Sequence, residues 1–217
     1  MKFLSDKWQY LTIVVFVILL IYMIFGGHQQ LNDLQVILMY SLIALAIHQF
    51  EEYILPGGGP IAINKASFKE KSDFSGFPAN ALSTCIINLS VYIFYILALI
   101  FPQLIWLGLA TMIFNLMQLV GHGYSINKAM GTWYNPGLVT SVILFAPISI
   151  YYIFYIYQHG LISIFTWVIA IVVYFIVVYL TINIPMQSLK NRNSKYPFSY
   201  WQIEQYDKVE KFCRLKK

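Results

Sequence analysis

The stretch DLQVILMYSLIALAIHQFEEYILPGGGP, from Asp33 to Pro60, decides how the chain is read. An apolar run long enough to cross a bilayer ends in His48-Gln49-Phe50-Glu51-Glu52, continues through Tyr53-Ile54-Leu55 and stops only at Pro56-Gly57-Gly58-Gly59-Pro60. At 100° per residue, Glu51 and Glu52 fall about 60° to one side and about 40° to the other of His48, so all three share one helix face. Ser41 and Ala44 lie on that face as well, the small residues that a membrane helix turns toward neighbouring helices rather than lipid. An ionised carboxylate at this depth costs on the order of 2–3 kcal/mol or more, so the two glutamates require partners elsewhere in the chain.

The rest of the chain supplies the bilayer-spanning context. Of the 217 residues 59% are apolar and 11% charged, which excludes an ordinary soluble domain and implies one all-α polytopic membrane helix bundle. Six segments are long and apolar enough to span: about Trp8 to Phe25, Asp33 to Leu55, Asn80 to Ile100, Leu104 to His122, Leu138 to Tyr157 and Leu161 to Ile184. The first reads as an uncleaved signal anchor behind Lys2 and Lys7. Asp33 is the expected cap of the second, Pro147 an expected kink in the fifth, and Pro185 the expected stop of the sixth. Residues 1–187 thus form a transmembrane domain, and 188–217 a basic amphipathic cytoplasmic tail.

All 14 basic residues fall on one side of this six-span arrangement. Lys2 and Lys7 precede the first span; Lys65, Lys69 and Lys71 follow the second; Lys128 follows the fourth; the others lie between Lys190 and Lys217. By the positive-inside rule both termini are cytoplasmic, as expected of a multi-pass protein of the cell membrane. The tail pattern Ile203, Tyr206, Val209 and Phe212, with Ser199 and Gln202 spaced as a capping box, predicts a helix lying on anionic inner-leaflet lipid. Its positive charge needs no nucleic acid to explain it. Cys85 and Cys213 provide neither a disulfide framework nor a Cys-x-x-Cys motif.

With this topology the polar groups of the spans converge in the cytoplasmic half. Thr111, Asn115, Gln118 and His122 form a stripe on the fourth span, and Asn80, Thr84 and Asn88 a second on the third. Buried amides and hydroxyls require hydrogen-bond partners, and these stripes and the His48 face are the nearest available to one another. The loop of residues 56–79 is expected to cover the resulting cavity.

His48-x-x-Glu51-Glu52, followed by Tyr53 and Pro56-Gly57-Gly58, by the Asn115 helix, and by Tyr134-Asn135-Pro136-Gly137 at the start of the next helix, resembles the HXXEE family of membrane proteins. The resemblance covers roughly residues 40–150, and it implies no established activity. Four residues beyond Asn115, where that family's pattern places a histidine, this chain has Leu119, and its nearest histidine is His122.

Two histidines and two carboxylates suit divalent-metal ligation, so His48, Glu51, Glu52 and His122 are the candidate ligands of a zinc or iron ion. Glu51, Glu52 and Asn115 are the candidate catalytic groups of a metal-dependent or acid–base membrane enzyme acting from the cytoplasmic side on a lipid-derived or membrane-peptide substrate. The Glu-Glu pair is similar in principle to that of the CAAX-type intramembrane endopeptidases, but the arginine that follows theirs is missing and Pro56 stands instead. Two other classes remain open: a transporter or proton relay through His48 and Glu52, and a structural or interaction protein in which the cluster is an interhelical clamp.

Overall fold

The computed structural model describes residues 2–216, and Lys217 of the basic tail lies outside it. Eight helical segments follow one another: α1 (Lys2–Gln30), α2 (Asp33–Tyr53), a short α3 (residues 59–67), α4 (Ala81–Ile100), α5 (Ile105–Met130), α6 (Leu138–Gln158), α7 (Ile164–Leu189) and α8 (Tyr200–Cys213). All but α3 and α8 are long and apolar enough to cross a membrane. Among the described residues the chain has no strand, only an isolated bridge between Thr132 and Arg214.

Several helix ends differ from their hydropathic limits. The α5 and α7 helices run past His122 and Ile184 because hydropathy falls where polar residues begin, while backbone hydrogen bonding continues; α1 instead breaks at its expected end, where Phe25 and Gly26 leave helical geometry before a last turn to Gln30. Asn32, not Asp33, caps α2; its side chain accepts from the Gln35 N–H and the Gln35 side chain returns a bond to the Asn32 N–H. Pro147 lies inside α6, and Pro185 does not stop α7, which continues to Leu189. Each follows a wide π-type turn, at Ser141–Phe145 and Tyr179–Asn183, which absorbs the missing N–H and the bulk of the ring.

The apolar core lies among α2, α4, α5, α6 and α7, around Leu38, Leu42, Tyr95, Leu109, Met112 and Tyr152. Inside it, α2 and α5 run parallel in a fixed register. The Asn115 amide donates to Ser41 Oγ at 2.9 Å and accepts from the Tyr95 hydroxyl at 2.5 Å, tying three helices at one level. Seven residues further along both helices, about 10 Å at the usual rise, the His48 ring meets the His122 ring, with centroids 5.0 Å apart.

The tail packs against the helical domain. Gln202, Tyr206, Val209 and Cys213 form the buried stripe of α8, whereas Phe212, expected on the same face as Tyr206, is 83% exposed. Nor does the Ser199–Gln202 capping box form. The Gln202 side chain instead accepts from the Gly58 N–H at 2.7 Å and donates to the Tyr53 carbonyl at 2.8 Å, clasping the end of α2 and the glycine turn beyond it. Gly58 has φ +88°, and a Cβ there would come within 2.6 Å of the Tyr206 backbone nitrogen, so this docking requires glycine. Beyond α8, the Trp133 N–H donates to the Cys213 carbonyl and the Leu215 N–H to the Gly131 carbonyl.

The tail segment also reaches the loop before α4. Arg192 donates to Glu70 at 2.8 Å, and with Ser72 this holds the Glu70 carboxyl down at about 2, against its ordinary 4.5. A depressed carboxylate contributes fully above its ordinary range, and the contribution is lost as pH falls through the lowered value. Wild-type Glu70 is therefore expected to stay ionised down to about 2, and Arg192→Ala to raise its titration toward 4.5, read from the Glu70 carboxyl-carbon NMR shift. Identical titrations in the two proteins would show that the bridge does not form.

Candidate functional site

His48 and Glu52 lie one turn apart near the end of α2, and His122 lies in a π-type turn, Gly121–Ile126, within the α5 helix. Such turns insert an extra residue into a helix and re-aim its side chains, and they recur at functional sites. Glu52 stands between the two imidazoles: Oε1 is 3.2 Å from His122 Nε2 and Oε2 is 3.8 Å from His48 Nε2. One ligand atom from each of the three residues lies within 4.8 Å of the other two, and the group is able to hold a metal ion.

The hydrogen bonds behind the rings determine which nitrogens are free. The Thr140 hydroxyl gives its single proton to Glu51 Oε2 at 2.6 Å, a short bond to a carboxylate. It must therefore accept at its 2.9 Å contact with His48 Nδ1, which places the His48 proton on Nδ1. Asn135 works the same way. Its Nδ2 donates to the His122 carbonyl and to Asn127 Oδ1, both at 2.7 Å, so its Oδ1 accepts from His122 Nδ1 at 2.6 Å. When neutral, both histidines therefore present bare Nε2 lone pairs toward a carboxylate, an arrangement that repels itself until a cation or a proton enters. Fixing the ring through the far nitrogen is how proteins orient metal-ligating histidines.

Glu51 belongs to the layer behind this group. Its carboxylate accepts from the Tyr134 hydroxyl (2.9 Å), the Val139 N–H (3.1 Å), the Thr140 N–H (2.8 Å) and the Thr140 hydroxyl. Two of these are unpaired N–H groups of the first turn of α6, whose cap residue, Gly137, has no side chain to offer them. Glu51 thus caps α6 from another helix, where the dipole favours negative charge. Burial, and then the Glu51 charge, push the Tyr134 phenol upward, which keeps it a donor.

Each residue of Tyr134-Asn135-Pro136-Gly137 except the proline therefore touches the site. Gly137, at φ +103°, lies so close to the His122 ring that a Cβ there would collide with it. Gly137→Ala is expected to displace the imidazole and weaken metal binding by about 10- to 100-fold, the range for lost supporting contacts. Equilibrium dialysis against zinc measures this, and unchanged affinity would remove Gly137 from the site.

The structure brings together His48, Glu52 and His122 of the sequence candidates, and it sets Glu51 behind His48 through Thr140. Asn115 is spent on Ser41 and Tyr95 one level away. Of the other stripe residues, Asn88 donates to the Tyr53 hydroxyl and Thr111 bonds back to its own helix. Thr140 escaped the sequence reading, though it stands three residues after Gly137, where one helical turn returns a side chain to the same face.

Residues 39–152, just over half of the chain, match the family model described as "Protein of unknown function with HXXEE motif". The chain belongs to the HXXEE family. The matched span contains the whole HXXEE site, from His48 to Thr140. No curated protein and no solved structure matches the chain.

Proposed function

We propose that this HXXEE protein is a membrane metalloenzyme in which His48, Glu52 and His122 hold a divalent cation, zinc or iron, near the cytoplasmic face. The observation that carries the reading is the commitment of both Nδ1 atoms as donors to Thr140 and Asn135, with both Nε2 atoms and a carboxylate facing one another. The 3.2 and 3.8 Å separations, which end on different oxygens of the Glu52 carboxylate, bracket the edges of about 3.3–3.6 Å that a tetrahedral cation with bonds of about 2.0–2.2 Å would require. Charge supports it too. Glu51 and Glu52 form no salt bridge with lysine or arginine among the described residues, and a divalent cation offsets two carboxylates in a dry setting.

Two histidines and one carboxylate suit zinc hydrolases and non-haem iron oxygenases, and such a cation would polarise a water or a substrate oxygen. Glu51 and Thr140 hold the His48 ring, Asn135 and Gly137 hold the His122 ring, and Asn115 keeps α2 and α5 in register. The substrate class is lipid-derived or a membrane peptide, approached from the side bearing the basic residues, which the positive-inside rule makes cytoplasmic. Lys211 and Phe212, on the exposed side of α8, suit contact with anionic inner-leaflet lipid. Elemental analysis of protein purified without chelators tests the reading: about one zinc or iron per chain is expected, and none after growth in supplemented medium overturns it.

A further inference from the structure

A cleft of about 520 Å³ lies between the first turns of α1 and the segment that leads into α8. Its volume is within the range of about 300–1,000 Å³ typical of small-ligand sites. Lys2 and Lys7 line it from α1 and Lys195 from the tail, against one acidic residue, Asp6, among the described residues of its wall. None of the three lysines forms an ion pair among the described residues, whereas Lys65, Arg192, Lys208 and Arg214 each meet a carboxylate at 2.7–3.1 Å.

The two sides of the cleft stand on ordered backbone. On the tail side the Ala81 N–H donates to the Tyr196 carbonyl at 2.9 Å and the Phe198 N–H to the Ser75 carbonyl at 2.6 Å, which pins the chain on either side of Pro197 and next to Lys195. Three like charges around one space repel until an anion joins them. The start of α8 adds donors to the lysines. Ser199 and Trp201 also line the cleft, the Ser199 side chain caps nothing, and the N–H groups of Tyr200 and Trp201 meet no acceptor among the described residues. Lysine charge and open helix N–H groups together suit a phosphate.

The surroundings point to the source of that phosphate. Lys7 immediately precedes the apolar run of α1, which in the positive-inside topology is the level of the cytoplasmic headgroups. From Tyr10, in the wall of the cleft, the exposed side chains of Val14 and Ile18 continue along the same face of α1 at steps of four. A molecule with its anion among the lysines and its hydrocarbon along that face is a phospholipid.

We propose that this cleft binds the phosphate of an anionic glycerophospholipid, which joins α1 to the tail beside the Gln202 clasp, with Asp6 accepting from a headgroup hydroxyl. The proposal rests on the membrane reading of the six long helices, requires no metal, and uses residues apart from Lys211 and Phe212.

Native mass spectrometry of the purified full-length protein, titrated in detergent with dioleoyl phosphatidylglycerol or dioleoyl phosphatidylcholine, tests it. One phosphatidylglycerol per chain is expected to bind at least about 5-fold tighter than phosphatidylcholine, and Lys7→Gln to weaken it about 5-fold, the worth of one basic charge at a membrane surface. Lys195→Glu changes the charge by two units and is expected to weaken it about 25-fold; it follows the last long helix and leaves Lys2 and Lys7 to orient α1. Lys216→Glu, the same change in the tail outside the cleft, is expected to leave the affinity within about 3-fold. Melting curves identify a misfolded variant, and the other cleft variant then carries the test.

Glycerol 1-phosphate displacing the lipid at equal concentration would keep the phosphate site and overturn the lipid as its source; failure to displace it supports the lipid. Phosphatidylcholine binding as tightly as phosphatidylglycerol overturns the proposal, as does equal weakening by Lys195→Glu and Lys216→Glu, or unchanged affinity in both Lys7→Gln and Lys195→Glu.

Discussion

Glu52→Gln is expected to abolish metal binding while leaving the fold intact. The carboxamide has the shape of the carboxylate but not its charge, and Glu52 accepts no hydrogen bond from backbone, hydroxyl or amide groups among the described residues; its contacts are with the two Nε2 atoms. Loss of residues that merely support a ligand weakens metal sites by about 10- to 100-fold, so loss of a direct ligand should exceed about 100-fold. Metal per chain should fall to background with thermal melting within a few degrees of wild type. A variant that keeps its metal would show that Glu52 is not a ligand.

The neighbouring Glu51→Ala is expected to do the opposite first. It strips the acceptor from the Val139 and Thr140 N–H groups and from the Tyr134 and Thr140 hydroxyls, all in the protein interior or at its edge. Each stranded donor costs about 1–3 kcal/mol, so a loss of about 3–5 kcal/mol is a conservative sum. Against a typical stability of about 5–15 kcal/mol, that lowers the melting temperature by about 10 °C or more, or prevents accumulation of the protein. Melting curves of the two variants side by side separate the roles, and equal melting temperatures would mean that Glu51 does not cap α6.

The contrast between adjacent glutamates shows how far sequence reasoning reaches. Helical phase puts both beside His48, at about 60° and 40°, and cannot tell which side faces α6, because that depends on how α2 packs. The partner of Glu51 lies 89 positions away, at Thr140, and no local pattern announces it. His122 was legible from its stripe on α5. Asn115 shares that stripe, yet it sits about 10 Å from the site along the axis, and phase carries no information about depth. The six apolar helices were readable because the capacity to span a bilayer is a matter of length and composition alone. The docking of α8 was not, because amphipathicity shows that a face will be covered and leaves open whether lipid or protein covers it.

The clasp formed by Gln202 has a consequence for biosynthesis. Residues 202–215 hold the turn after Tyr53 and the strand of chain around Gly131 and Trp133, the two connections that flank His48, Glu52 and His122. These residues leave the ribosome only after all six long apolar helices have been made. The site is therefore completed by the part of this sequence synthesised last, and a nascent chain cut short before Tyr200 would hold all six long helices yet leave His48, Glu52 and His122 without this clasp, a state in which quality control rather than chemistry decides its fate.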